Sequence, residues 1–347
     1  MKRALGLMLI VAAVVAIGAA VGSATAAQSH GQGTSLTGAG ATFPYPLISK
    51  WIPAVGLAYG INVNYSPIGS GGGIAAITAR TVDFGASDAP LSPDQLTACK
   101  GCVVVPWALS AISVPYNLPG LRCVLRFTPS VLAGIYLGEI TNWKDPKIAA
   151  QNGSCGLPDL KITPVHRSDN SGSSYAFTDY LSNVSPTWQS KYGTGVNAQW
   201  PVGIGAKGSS GVAGVVTKTV GALTYVDVAY SLKNNLRISW IQNKAGKFAS
   251  PGLRSIQAAA SVLPKKITDF TQLKLVDPPA NAGALAYPIS TFTYVIAPTS
   301  SSKSADLRKF IYWAVTQGQS FGRPLLFQPL PLQVQAFAFR EIKKIQG

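Results

Sequence analysis

Three segments of this chain share a design suited to holding an anion. Gly38-Ala39-Gly40-Ala41-Thr42-Phe43-Pro44, Gly69-Ser70-Gly71-Gly72-Gly73 and Ser168-Asp169-Asn170-Ser171-Gly172-Ser173-Ser174 each place a hydroxyl residue, with glycine close by, where a helix should begin. A helix N-terminus carries unpaired N–H groups and a partial positive charge, Ser and Thr add hydroxyl donors, and Gly lets the backbone come close. Each segment could therefore cover one face of an oxyanion. Taken singly, each is also accounted for by an ordinary loop and N-cap, and Pro44 suits the first turn of a helix with no ligand at all.

The charged neighbours narrow the chemistry. Arg167 precedes the third segment, and a guanidinium clamps two oxyanion oxygens with a fixed fork. Asp169, two residues on, is placed to pair with that guanidinium and hold it. Asp88, in the run Asp83-Phe84-Gly85-Ala86-Ser87-Asp88-Ala89-Pro90, repels an anion unless the ligand still carries a proton. Phosphate near neutral pH keeps one or two protons and sulfate none, so an ionised Asp accepts a hydrogen bond from the first and only repels the second. By itself Asp88 reads equally as a helix cap or loop carboxylate.

Material for catalysis is scarce. The chain has no Gly-x-Ser-x-Gly elbow and no His-Glu-x-x-His motif, and of its 2 histidines His30 lies beside the N-terminal apolar stretch while His166 reads as a packing or surface residue at a strand end. No catalytic residue, metal site or cofactor is expected. Gly203-Ile204-Gly205-Ala206-Lys207-Gly208 fits the dinucleotide pattern G-x-G-x-x-G, with Asp227 about 20 residues on. Its context argues against that use, because Gln199-Trp200-Pro201-Val202 is a short, proline-containing lead-in where a buried strand is required.

The elements that must position these residues alternate short apolar runs, such as Ile61 to Tyr65 and Ile112 to Tyr116, with helical stretches such as Phe43 to Val55 and Gly73 to Arg80. Alternation of this kind predicts an α/β architecture. Two segments, Val103 to Tyr116 and Leu285 to Ala297, are long, poor in charge and rich in Val, Ile, Tyr and Phe. They read either as crossings between two lobes or as two buried strands of one sheet. As crossings, they make lobe 1 discontinuous, residues 36–108 plus 291–347, with lobe 2 at 109–290 and hinge strands near 103–116 and 285–297.

Met1-Lys2-Arg3, the apolar stretch Ala4 to Ala20 and Ala24-Thr25-Ala26 have the layout of a cleavable signal peptide spanning 1–26. No Cys follows the apolar run, so a lipid anchor is not expected; residues 27–35 read as a disordered arm. The formal net charge is +16, from 29 Lys+Arg against 13 Asp+Glu, and two of the positive charges, Lys2 and Arg3, leave with the leader. Basic residues are dispersed, not interleaved with aromatics, which argues against nucleic acid. A basic surface with few carboxylates loses little stability by protonation and suits an acidic medium. Cys99, Cys102, Cys123 and Cys155 form an even set in an exported chain and predict disulfides, with three pairings open and Cys99 to Cys102 favoured.

Taken in order, Leu36 to Pro44, Gly69 to Gly73, Asp83 to Leu91, Gly138-Glu139-Ile140-Thr141-Asn142-Trp143-Lys144-Asp145-Pro146, Arg167 to Ser174, Gly203 to Val212 and Gly221 to Val226 resemble the phosphate-binding proteins of bacterial Pst transporters across essentially the whole mature chain. The resemblance implies a two-lobed periplasmic-binding-protein fold, type II-like, whose hinged α/β lobes close on a phosphate cleft. It implies ligand contacts from the Thr42 hydroxyl, the Phe43 N–H, Ser70, Asp88 as acceptor of the ligand's proton, Arg167 oriented by Asp169, and Ser171, Gly172 and Ser173. Ser173 stands where the family commonly has Thr, which keeps the hydroxyl. It further implies a periplasmic monomer that delivers phosphate to the permease and ATPase subunits of an ABC transporter. The strong positive charge and the four cysteines depart from the family pattern. A secreted phosphatase, or a binder of another oxyanion or solute on the same fold, is the alternative.

Overall fold

A computed structural model describes residues 34–347; the expected leader, and the arm up to residue 33, lie outside them. The described chain begins with the strand Ser35–Gly40, whose parallel neighbours are Asn62–Ser66 and Phe84–Ser87. Between the first two runs the helix Tyr45–Tyr59, with Pro44 as N-cap and Gly60 in the left-handed region closing it by an N–H bond to the Gly56 carbonyl. Leu47, Ile48, Trp51 and Val55 form its buried face, the spacing of one helical stripe.

Six strands make the first sheet, in the order Val226–Asp227, Cys102–Ser113, Ser290–Pro298, Phe84–Ser87, Ser35–Gly40 and Asn62–Ser66. Cys102–Ser113 and Ser290–Pro298 pair antiparallel along their length, and the register shifts between Thr293 and Tyr294. That irregularity lies opposite Pro106, which has no N–H to give to a ladder. The second sheet has five strands, in the order Arg237–Ile238, Pro115–Tyr116, Ala222–Thr224, Thr163–Arg167 and Ile204–Ala206. A third, three-stranded sheet joins Phe248–Ala249, Trp240–Gln242 and Arg126–Phe127.

The chain passes between the first two sheets at Val114, where Cys102–Ser113 gives way to Pro115–Tyr116, and again at Tyr225, between Ala222–Thr224 and Val226–Asp227; it then returns to the second sheet with Arg237–Ile238 and to the first with Ser290–Pro298. The architecture is the expected α/β one, with a sheet in each of two lobes. Trp51, Phe84, Trp107 and Phe310 fill the core against the first sheet, with Trp51 and Trp107 5.3 Å apart and Phe84 and Phe310 5.4 Å apart. On the second side Phe177 stacks on Tyr225 at 4.4 Å, and Trp200 on the same ring at 5.2 Å. Among the described residues no helix is long and apolar enough to cross a membrane.

Disulfides join Cys99 to Cys102 and Cys123 to Cys155. His166 is half-buried with its ring stacked on Trp200, and burial lowers its pKa despite the Arg167 carbonyl beside it. It is a packing residue.

Candidate functional site

The three glycine- and hydroxyl-rich segments meet between the two sheets. The first delivers Thr42, the second opens the helix Ser70–Thr78, and the third opens the helix Gly172–Val184 with Ser171 as its N-cap. Hydrogen bonds tie them together across long stretches of chain. Ser70 Oγ accepts the backbone N–H groups of Asp88 at 3.2 Å and Gly172 at 3.1 Å, and its hydrogen points to Asp88 Oδ2 at 3.5 Å. Gly172 has to be glycine: a Cβ there would stand 2.6 Å from both the Asp88 Cβ and Ser70 Oγ. Gly69 meets two demands at once, a φ of 94° and a Cβ position only 2.6 Å from Asp169 Oδ2.

Arg167 ends the strand Thr163–Arg167 and is buried. Its backbone N–H donates to the Tyr225 hydroxyl at 3.0 Å, and that hydroxyl also pairs with Ser174 Oγ at 2.7 Å, so the aromatic stack behind the strand fixes where the arginine begins. Its guanidinium grips Asp169 with two prongs, Nε to Oδ1 at 2.7 Å and Nη2 to Oδ2 at 2.5 Å. Burial by itself would raise the Asp169 pKa, but the hydrogen bonds and charge of Arg167 outweigh it and hold the carboxyl below its usual range. Gly208 N–H adds a third donor to Asp169 at 2.9 Å. The remaining guanidinium nitrogen, Nη1, faces Ser209 Oγ at 3.4 Å.

Asp88 is the group whose protonation the environment changes most usefully. It is 2% exposed, and burial pushes its pKa up to about 7 although Thr293, the charge of Arg167 and Ser70 all pull it down. Its Oδ1 has no hydrogen-bond partner, and neither does the buried hydroxyl of Ser173. Buried polar atoms are normally paired, so two unpaired ones at converging helix starts suit a polar ligand. Beside Asp88 opens a cavity of about 560 Å³, lined also by Tyr175, Asp179, Lys274 and Tyr294.

All eight expected contact residues and Asp169 are brought into this one region, several of them already engaged by protein partners, the Ser70 and Thr42 hydroxyls included. The Phe43 ring is core, edge-on to Phe327 at 5.8 Å, which leaves only its backbone to face a ligand. Ser171 Oγ accepts the Ser174 N–H at 3.2 Å as an N-cap, and Gly172 N–H is engaged by Ser70. Two further residues enter that the sequence reading did not place here. Ser209, in the first turn of the helix Gly208–Lys218, has its Oγ 2.8 Å from Thr42 Oγ1 and gives its N–H to the same atom at 3.3 Å. Asp227 is fully buried near Arg167 and Asp88, and neither of its carboxyl oxygens has a hydrogen-bond partner. Gly208-Ser209 repeats the glycine-then-hydroxyl design of the other three segments, a signal that could have found it. Among the described residues no group of three His, Cys, Asp or Glu is placed to hold a metal ion.

The arrangement offers one fixed guanidinium, several hydroxyl and helix-terminal donors and two buried carboxyls, Asp88 and Asp227, whose pKa values burial raises, but no nucleophile paired with a base. Such a donor set suits an oxyanion. Comparisons with known proteins give the family and the fold. Residues 24–317 match the family model of the PBP superfamily domain. A phosphate-binding protein PstS from Xylella fastidiosa is 40% identical over 319 residues, which cover 89% of this chain and 86% of that protein. Another PstS, from Pasteurella multocida, is 37% identical over 321 residues, covering 91% of this chain and 90% of that one. Among solved structures, a high-affinity periplasmic phosphate-binding protein with phosphate bound superposes with a TM-score of 0.70 at 21% identity, over 88% of this chain and 93% of its own, and shares the fold.

Proposed function

The chain belongs to the PstS family of phosphate-binding proteins within the PBP superfamily, and from that premise we propose that it captures inorganic phosphate outside the inner membrane for an ABC transporter. It is a binding protein and not an enzyme, as its relatives are named. The observation that carries the site assignment is the pairing of Arg167, held by Asp169, with a buried Asp88 whose Oδ1 has no protein partner. The guanidinium supplies charge; Thr42, Phe43, Ser70, Ser171, Gly172 and Ser173 supply directed hydroxyl and backbone donors; Asp88 accepts the proton that phosphate retains and sulfate lacks.

Capture follows from the two-sheet build. Lobe 1, on the first sheet, brings Thr42, Ser70 and Asp88, and lobe 2, on the second, brings Arg167 and the Gly172 helix; the expected limits at 108/109 and 290/291 do not coincide with the sheets, since Cys102–Ser113 runs on through 109 and Val226–Asp227 pairs in the first sheet. The Ser70 hydrogen bond to Gly172 N–H stands for the closed contact, and closing hides the ligand's charge behind donors already in place. The closed form is what a permease, driven by its ATPase subunits, would recognise. Export through a cleaved leader, a periplasmic location and a monomeric state complete the reading.

Equilibrium dialysis with labelled phosphate tests the assignment. Arg167→Lys keeps the charge but loses the fork to Asp169 and the ligand, and should weaken binding by about 2–5 kcal/mol, or 30-fold and more. Unchanged affinity in this variant would move the ligand elsewhere.

A further inference from the structure

One of the two disulfides faces a cation. Arg80, exposed just past the helix Ser70–Thr78, turns its guanidinium onto the Cys99–Cys102 bridge, with Nη1 3.1 Å from Cys102 Sγ and 3.5 Å from Cys99 Sγ. The same guanidinium donates to the carbonyls of Ile77 at 2.8 Å, Cys99 at 2.7 Å and Lys100 at 3.1 Å, so its position does not depend on the sulfurs. Among the described residues no cation donates to the sulfurs of Cys123–Cys155: Arg237 donates there to the Leu121 and Cys123 carbonyls, and Asn152 Oδ1 stands 3.9 Å from Cys155 Sγ. Arg80 at φ 56° and Lys100 at φ 44° both take the left-handed backbone that side chains rarely adopt, and strain of this kind collects at functional sites.

We propose that Cys99–Cys102 is a thiol-exchange site, a bridge that a dithiol reductant opens in the folded protein while Cys123–Cys155 stays closed. The inference does not rest on the phosphate reading. A disulfide breaks by attack of a thiolate on one sulfur, and it breaks faster the more stable the thiolate that leaves. Cys102 is partly exposed and Cys99 is buried, so attack falls on Cys102 Sγ and Cys99 is the leaving group. Burial opposes a Cys99 thiolate, and the Arg80 charge beside it favours one.

In the first step a thiolate of the reductant bonds to Cys102 Sγ, the S–S bond breaks, and its electron pair passes to Cys99 Sγ beside Arg80. The reductant's second thiolate then attacks its own sulfur in the mixed disulfide and releases Cys102 as a thiolate, again against Nη1. The dithiol ends as a disulfide, and its two protons pass through solvent to the two cysteines. Little else has to move. Lys100 and Gly101 alone separate the pair, so the bridge removes little chain entropy, and the turn keeps its own bonds: Cys99 N–H to the Gln95 carbonyl at 2.9 Å, and Thr299 N–H to the Gly101 carbonyl at 2.8 Å. The opened thiols therefore stay side by side, and the bridge can close again.

Reduction of the folded protein by dithiothreitol at pH 8, with free thiols trapped by a maleimide and located by peptide mass mapping, tests this. Cys99–Cys102 should open about tenfold faster than Cys123–Cys155, or more. Equal rates, or the reverse order, would overturn the proposal. Arg80→Gln separates the charge from the clamp. If the guanidinium acts on the leaving thiolate, this variant opens Cys99–Cys102 about tenfold more slowly than the wild type; if Arg80 only braces the turn, loosening it speeds the opening. An unchanged or faster rate in Arg80→Gln rejects the role of the cation, with an unaltered rate at Cys123–Cys155 showing that the fold is intact. Should Arg80→Gln not fold, alkylation of the reduced wild type across pH decides: a Cys99 thiol that ionises below the ordinary thiol range upholds the role, and one within or above that range rejects it.

Discussion

Asp88→Asn should stabilise the ligand-free protein while damaging its selectivity. The Asp88 pKa is pushed up to about 7 in the fold against 3.8 for an ordinary Asp, and the group is 2% exposed, so little solvent screening applies. Because the folded pKa is the higher one, the unfolded chain releases the proton more readily, and stability falls as pH rises from 4 to 7. A shift of this size corresponds to about 4 kcal/mol of stability withheld above pH 7. Asn removes that penalty but leaves an amide poorly paired, at a cost of roughly 1–3 kcal/mol, so the net gain at pH 7.5 should be about 2 kcal/mol. Asp227 and Asp179 are also raised by burial and act in the same direction, whereas Asp83 and Asp169 are lowered and withdraw stability only below about pH 4. Urea unfolding of the phosphate-stripped wild type and variant from pH 4 to 8 separates the contributions. The wild type should lose stability relative to the variant by about 4 kcal/mol across that range. Parallel pH profiles would refute a buried, proton-accepting Asp88.

Gly172→Ala inserts a Cβ 2.6 Å from Asp88 and Ser70, both in the facing lobe. It should hold the lobes apart and lower phosphate affinity at least tenfold, with fluorescence or scattering reporting a more open form; an unaltered affinity would mean that the contact yields freely. Of the two disulfides, Cys123–Cys155 spans 32 residues and Cys99–Cys102 spans 3. Chain entropy assigns about 4 kcal/mol to the first and about 2 kcal/mol to the second, so Cys123→Ser with Cys155→Ser should lower the unfolding midpoint more than Cys99→Ser with Cys102→Ser. The reverse order in urea titrations would contradict the entropic account.

Thr42, Ser70, Arg167 and Asp169 were legible in the sequence because helix starts, hydroxyls and a flanking charge are local signals. The α/β alternation was legible for the same reason. Long-range geometry was not. Nothing local says that Ser70 binds the backbone of Gly172, 102 residues away, or that Ser209 lies against Thr42 across 167. The crossing at Tyr225 lies between strands of three residues and two, too short to show a period. Asp227 fitted a dinucleotide pattern by spacing, and only its burial beside Arg167 reveals its neighbourhood. The favoured pairing of Cys99 with Cys102 left Cys123 for Cys155, and the fold joins both pairs. The strong positive charge finds no role in the site, whose one buried cation is matched by Asp169.

Calorimetric titration of the mature, phosphate-stripped protein with phosphate and then with sulfate at pH 8 tests the central claim most directly. One phosphate bound tightly per chain, with no heat from sulfate, is the predicted result; equal binding of both anions, or of neither, would contradict a cleft that reads the ligand's proton through Asp88.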